Sequence, residues 1–152
     1  MTTEISLKEP LIQACSELLP KFGLKYSFVE EISEKTLNSA ESINLLVGLN
    51  HGIQGNIILG LTSQAALRIV AGIIGEDEVF TLDNQGRNAL SDFMTMIARK
   101  AVSKLEISTA VDISPPTLIT GDTVFSMISK IPSQKLSFNL ENTTFSISYC
   151  IE

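Results

Sequence analysis

Tryptophan is absent from this chain, histidine occurs once, and only two cysteines are present among its 152 residues. The cysteines, Cys15 and Cys150, lie far apart, each within an apolar pattern. With no CxxC pair and no carboxylates spaced around His51, a zinc site is not expected and no metal ligands are assigned. Two buried free thiols are the simplest expectation, and the spacing leaves a disulfide between them open. No run of Lys or Arg stands out, and the formal net charge is −6. That balance excludes the electrostatic attraction to phosphate backbones or anionic membranes that a basic patch supplies. The apolar runs are short and broken by Asn, Gly or charge, so none can span a bilayer. Residues Met1–Ser6 are polar, without the basic and then apolar pattern of a signal peptide, and a cytoplasmic location is expected. Walker-type and GxGxxG glycine loops are missing, and no Ser, His and Asp set offers itself.

What the chain does have is aliphatic bulk. Hydrophobic residues make up 44% and aromatics only 6%, so the core must rest on Leu, Ile, Val and Met. This suffices for a single domain over residues 1–152. Leu7, Leu11, Ala14, Cys15, Leu18 and Phe22 recur at helical spacing, which predicts a first helix over about 7–22. Ser6 and Glu9 have the spacing of a capping box, Pro10 and Pro20 leave the helix ends uncertain, and Gly23 offers a stop. A short strand is expected around Tyr26 and Phe28, then a polar loop over 33–42. Ile43, Leu45, Val47 and Leu49 alternate, as do Ile57, Leu59 and Leu61, so the two form a hairpin with His51 exposed in its turn. Ser63 reads as the N-cap of a second helix that ends at Gly75, followed by a solvated acidic turn, Glu76–Glu78. A longer helix runs from Asp83 or Asn84 to Leu105. Strands follow at Val111–Ile113, Thr117–Thr120 and Val124–Lys130, with Gly121-Asp122 as a turn. Leu136, Phe138 and Leu140, then Phe145, Ile147, Tyr149 and Ile151, form a last hairpin around Glu141-Asn142, apolar on one face and Ser/Thr-rich on the other. The order predicts an α+β fold, a largely antiparallel sheet with helices packed on one face.

The long helix carries the most information. At 100° per residue, Leu90, Phe93, Met94, Ile97, Ala98, Ala101 and Leu105 gather on a core side. Asn88, Asp92, Thr95, Met96, Arg99 and Ser103 gather on the other. Asp92 and Thr95 are three apart and therefore neighbours, a carboxylate beside a hydroxyl. Such a pair can anchor a lysine and orient a water, although an Asp and a Thr on a solvated helix face are also commonplace. Met96 exposes a flexible apolar side chain in that stripe, as contact surfaces do.

The segment Asp92-Phe93-Met94-Thr95-Met96-Ile97-Ala98-Arg99-Lys100-Ala101 resembles the signature helix of the CheC/CheX/FliY chemotaxis phosphatases, which reads Glu-x-x-Asn followed by Met or Ile. Gly55–Leu61 with the helix after it, and Ile113-Ser114-Pro115-Pro116-Thr117-Leu118-Ile119-Thr120-Gly121, are similar to flanking segments of that family. The CheX-like branch fits best, because the first helix has Glu17-Leu18-Leu19-Pro20 where a second Glu-x-x-Asn would stand. The resemblance implies a protein that removes the phosphoryl group from a CheY-like response regulator. The family's Glu pairs with a lysine of the regulator, and its Asn orients a water for in-line attack. Carried over by position, Asp92 and Thr95 are the catalytic candidates, and Asn88, Met96 and Arg99 the partner-binding ones. No cofactor of its own is implied, since Mg²⁺ belongs to the regulator, and a homodimer through sheet edges is expected. Asp92 for Glu, Thr95 for Asn and Arg99 for a small Gly depart from the pattern. The alternative they raise is an inactive module for regulator binding or dimerisation.

Overall fold

The computed structural model describes residues 6–34, 37–39, 41–107, 109–121, 126–129 and 132–152. Helix α1 spans Lys8–Leu18 and passes into a tight 3₁₀ turn at Leu19–Phe22. Pro20 explains the change: without an N–H it cannot continue the α-helical ladder. Gly23, at φ 71°, closes the turn. The expected capping box does not form. Leu7 is the N-cap and has no side-chain cap bond, while Ser6 Oγ accepts from the Lys8 N–H and shares a hydrogen bond with the Tyr149 hydroxyl. Pro10 lies in the first turn, where no backbone donor is needed.

The first strand, β1, covers Tyr26–Glu34 and is much longer than the sequence suggests. Its side chains are mostly exposed, so it lacks the alternation that marks a half-buried strand. The polar stretch read as a loop over 33–42 contains the end of β1 and a second strand, β2 (Leu37–Ser39). Strands β3 (Ile43–Asn50) and β4 (Gly55–Leu61) form the expected hairpin, in register from Ile43 opposite Leu61 to Leu49 opposite Gly55. Helix α2 (Ser63–Ile74) is capped by Thr62, not Ser63, whose hydroxyl accepts from the Ala65 N–H. Gly75, at φ 78°, ends it as expected.

Helix α3 (Asn84–Ser103) has Asp83 as N-cap, accepting from the Gly86 N–H. Strands β5 (Asp112–Ile113) and β6 (Thr117–Thr120) both pair with β3. Strand β7 (Ser126–Ser129) pairs with β2, forming a separate two-stranded ribbon and no hairpin with β6. Asp122 of the expected Gly121-Asp122 turn lies outside the described residues. Strands β8 (Ser133–Leu140) and β9 (Thr143–Ile151) form the last hairpin. The main sheet is antiparallel in the order β1-β8-β9-β4-β3-β5, with β6 beside β5 on β3.

All three α-helices pack on one face of this sheet, in one core with Leu45, Val47, Ile57, Leu59, Phe138 and Ile147. The opposite face is not simply solvated, as its Ser/Thr content suggests. Ser146, Ser148 and Cys150 are buried there, Ile58 and Leu46 pack against Cys150, and β2 lies against β9. Gly60 belongs to the same face, where a Cβ would come within 2.9 Å of both Glu41 and Ser146. The sheet separates the two cysteines: Cys15 is in the helix-side core and Cys150 on the far face, both as free thiols. Burial pushes the Cys15 thiol up to about 12, which makes it inert at neutral pH.

The candidate site on the exposed face of helix α3

Helix α3 is held firmly before any partner arrives. Its buried side presents Leu90, Phe93, Met94, Ile97, Ala98 and Ala101. Phe93 meets Phe22 edge to face, with ring centroids 6.3 Å apart. On its flank Glu17 of α1 receives Lys104 at 2.7 Å and Lys100 at 3.5 Å. The Lys104 hydrogen bond, with help from both lysine charges, holds the Glu17 carboxyl below its ordinary range. Glu17, in the stretch where a second catalytic motif would stand, thus serves as a clamp between α1 and α3.

The opposite side of α3 is the polar stripe. Asn88, Asp92, Arg99 and Ser103 are exposed, and Thr95 is half-buried. Asp92 has no ion-pair partner among the described residues, so its carboxylate is available to a cation from outside. Thr95 is held differently. Its hydroxyl donates to the Ser91 carbonyl at 3.0 Å, one turn back. That bond fixes the side-chain rotamer and uses the only proton, leaving lone pairs that accept a hydrogen bond from water. Met96 corrects the sequence reading: it is half-buried and packs on the core rather than standing free. Its position near the edge of the apolar arc explains this, since a long thioether can fold back over the core.

The sequence did not reveal what lies beyond Arg99. The C-terminal end of α3, the chain that follows it and β5 enclose an open groove of about 620 Å³, with Arg99 on its rim. Leu105, Ile107 and Val111 line it, two and then four residues apart, an alternation too sparse to read as a strand. His51 is an exposed turn residue, as expected, at φ 58° and with Nε2 3.2 Å from the Asp112 carboxylate. Among the described residues no group of three or more His, Cys, Asp or Glu is placed to hold a metal ion. No described helix is long and apolar enough to cross a membrane.

Residues 43–137 match the family model described as chemotaxis phosphatase CheX. A curated relative, the CheY-P phosphatase CheX of Thermotoga maritima, is 33% identical over 96 residues, which cover 60% of this chain and 62% of the relative. The match therefore spans less than two thirds of that protein. A chemotaxis protein CheX from Desulfovibrio desulfuricans superposes with a TM-score of 0.85 at 22% identity, covering 97% of this chain and 100% of that one. A chain from the crystal structure of the CheX–CheY–BeF3–Mg²⁺ complex from Borrelia burgdorferi superposes with a TM-score of 0.72 at 21% identity, covering 98% of this chain and 99% of that one. At those identities the structures speak to the fold, and the family match covers more than half of the chain. The chain belongs to the CheX family of chemotaxis phosphatases.

Proposed function

We propose that the exposed face of α3 docks on the phosphorylation site of a CheY-like response regulator and speeds loss of its phosphoryl group. The observation that carries this reading is the pairing of an unpartnered Asp92 carboxylate with a rotamer-locked Thr95 hydroxyl on one exposed stripe. Asp92 accepts a lysine of the regulator. Thr95 accepts a hydrogen bond from a water, whose own lone pair is then aimed at phosphorus. The water oxygen forms the new P–O bond as the acyl P–O bond breaks. The regulator's aspartate leaves as a carboxylate, and the phosphate carries away the water's protons. This is catalysis by positioning and charge, with no covalent step on the phosphatase. Mg²⁺, where required, belongs to the regulator. Asn88 and Arg99 flank the pair and contact the partner, while Met96 contributes from its half-buried place.

Faster decay of a phosphorylated CheY-like regulator in the presence of the protein tests this reading. Unchanged decay over a range of protein concentrations would defeat it. One observation favours docking without chemistry. With its proton committed to Ser91, Thr95 can only accept, whereas an amide can both accept from and donate to the reacting groups.

The reading extends to a homodimer through sheet edges. Strand β1 is the last strand of the sheet, and Phe28, Val29 and Ile32 are exposed on it. The strand also carries Glu30, Glu31 and Glu34, so pairing with another strand rests on its open backbone edge and those apolar side chains, with the carboxylates left in water. Val29, 52% exposed, is a suitable probe. Val29→Lys should turn a dimer into a monomer by light scattering while circular dichroism shows the fold retained, whereas a wild-type monomer would exclude the dimer.

A further inference from the structure

We infer that the groove at the C-terminal end of α3 is a second docking point for the regulator, in which Arg99 receives a carboxylate carried by an acidic segment of that partner. The inference rests on the proposed function and adds to it a determinant of partner choice outside the Asp92/Thr95 pair.

Four observations carry it. Arg99 is exposed and has no ion pair or hydrogen bond among the described residues, in a chain whose formal net charge is −6. Asp112, the one acid lining the groove among the described residues, has His51 Nε2 3.2 Å from its carboxylate. Arg99 also stands one turn beyond Thr95 and two turns beyond Asp92 on the same stripe, so a partner seated on that pair reaches it without reorienting. Finally, the groove it rims is built, not flat. Val102, Leu105, Ile107, Val111 and Ile113 each pack on the core by one side and remain partly uncovered by the other.

The chemistry of the groove selects the occupant. A guanidinium offers a planar fork of donors that suits a carboxylate. Apolar side chains below it suit an aliphatic residue next to that carboxylate. The polar rim at Ser103 and Thr109 suits a segment whose backbone stays partly hydrated. A nucleic acid would need several cations, and this groove has one on its rim. The large side chain at position 99 therefore has a use: it replaces close approach at this point with a charged contact.

The test uses the full chain and a CheY-like receiver domain held in its phosphorylated form by beryllofluoride and Mg²⁺. Arg99→Ala should weaken binding about tenfold, the scale of a hydrogen bond to a charged group. The loss should shrink with added salt, because an exposed charge contact is screened. In the decay assay it should fall on the half-saturating concentration rather than on the saturated rate. Ala110→Glu places a competing carboxylate on the exposed rim and should weaken binding to a similar degree, with Arg99→Lys in between. Wild-type affinity in Arg99→Ala, or tighter binding by Arg99→Gly, would overturn the inference and leave the Asp92/Thr95 reading standing. A receiver domain that fails to bind the wild type would remove both.

Discussion

The double variant Asp92→Glu with Thr95→Asn should dephosphorylate a CheY-like regulator about 100-fold faster than the wild type. The expectation follows from reach. Asp is one methylene shorter than Glu, so its carboxylate lies closer to the helix. The Thr95 hydroxyl likewise sits about 1 Å closer to the backbone than an Asn amide, and misplacement of about 1 Å costs on the order of 100-fold in rate. Thr95 is also tied to the Ser91 carbonyl at 3.0 Å, so it cannot extend to recover the distance. The regulator must therefore approach more closely, or the water waits in a poorer position. Restoring the longer side chains removes that constraint, and neither change touches the core, because Asp92 is exposed and Thr95 only half-buried. Single-turnover decay of the phosphorylated regulator measures the gain, and melting curves check that the fold is unchanged. A double variant no faster than the wild type would show that reach does not limit this site.

Phe93→Ala should cost about 3–5 kcal/mol in stability, the range for emptying a large aromatic site in a core. Phe93 is fully buried and packs edge to face on Phe22, which follows α1. Its loss removes apolar contact and leaves a cavity where α1 and α3 meet, held otherwise by the Glu17 clamp at 2.7 and 3.5 Å. For a chain of this size the melting temperature should fall by roughly 10 °C. The neighbouring Asp92→Ala should shift it by less than about 1 °C, as exposed positions away from special features do. The contrast places stability and chemistry on opposite sides of one helix, a single residue apart. Equal thermal shifts in the two variants would contradict that division.

Much of this was legible because it is periodic. The apolar side of α3 and the alternations of β3, β4, β8 and β9 repeat at the spacings that burial imposes, and the structure places them as read. The stripe of Asp92, Thr95 and Arg99 could be read as the complement of that apolar side. The misreadings share a cause. Strand β1 is exposed along most of its length and β2 lies in a polar stretch, so neither carries an alternating pattern. The pairing of β7 with β2 and the cover over Ser146 and Ser148 depend on a long-range contact that no local window contains. Met96 was placed correctly on the wheel, but its packing depends on where a flexible side chain folds. The groove beyond Arg99 draws on the end of α3, the segment after it and β5, so no single element's pattern revealed it.

In the proposed reading, Asp92 and Thr95 form a working, though weakened, phosphatase site. The most direct measurement is the decay of a phosphorylated CheY-like regulator with wild type, Asp92→Ala and Thr95→Ala, at concentrations that saturate binding. Faster decay is expected with the wild type, and a return to the spontaneous rate in both variants while binding persists. Decay that the wild type does not accelerate, or that both variants accelerate equally well, would contradict it.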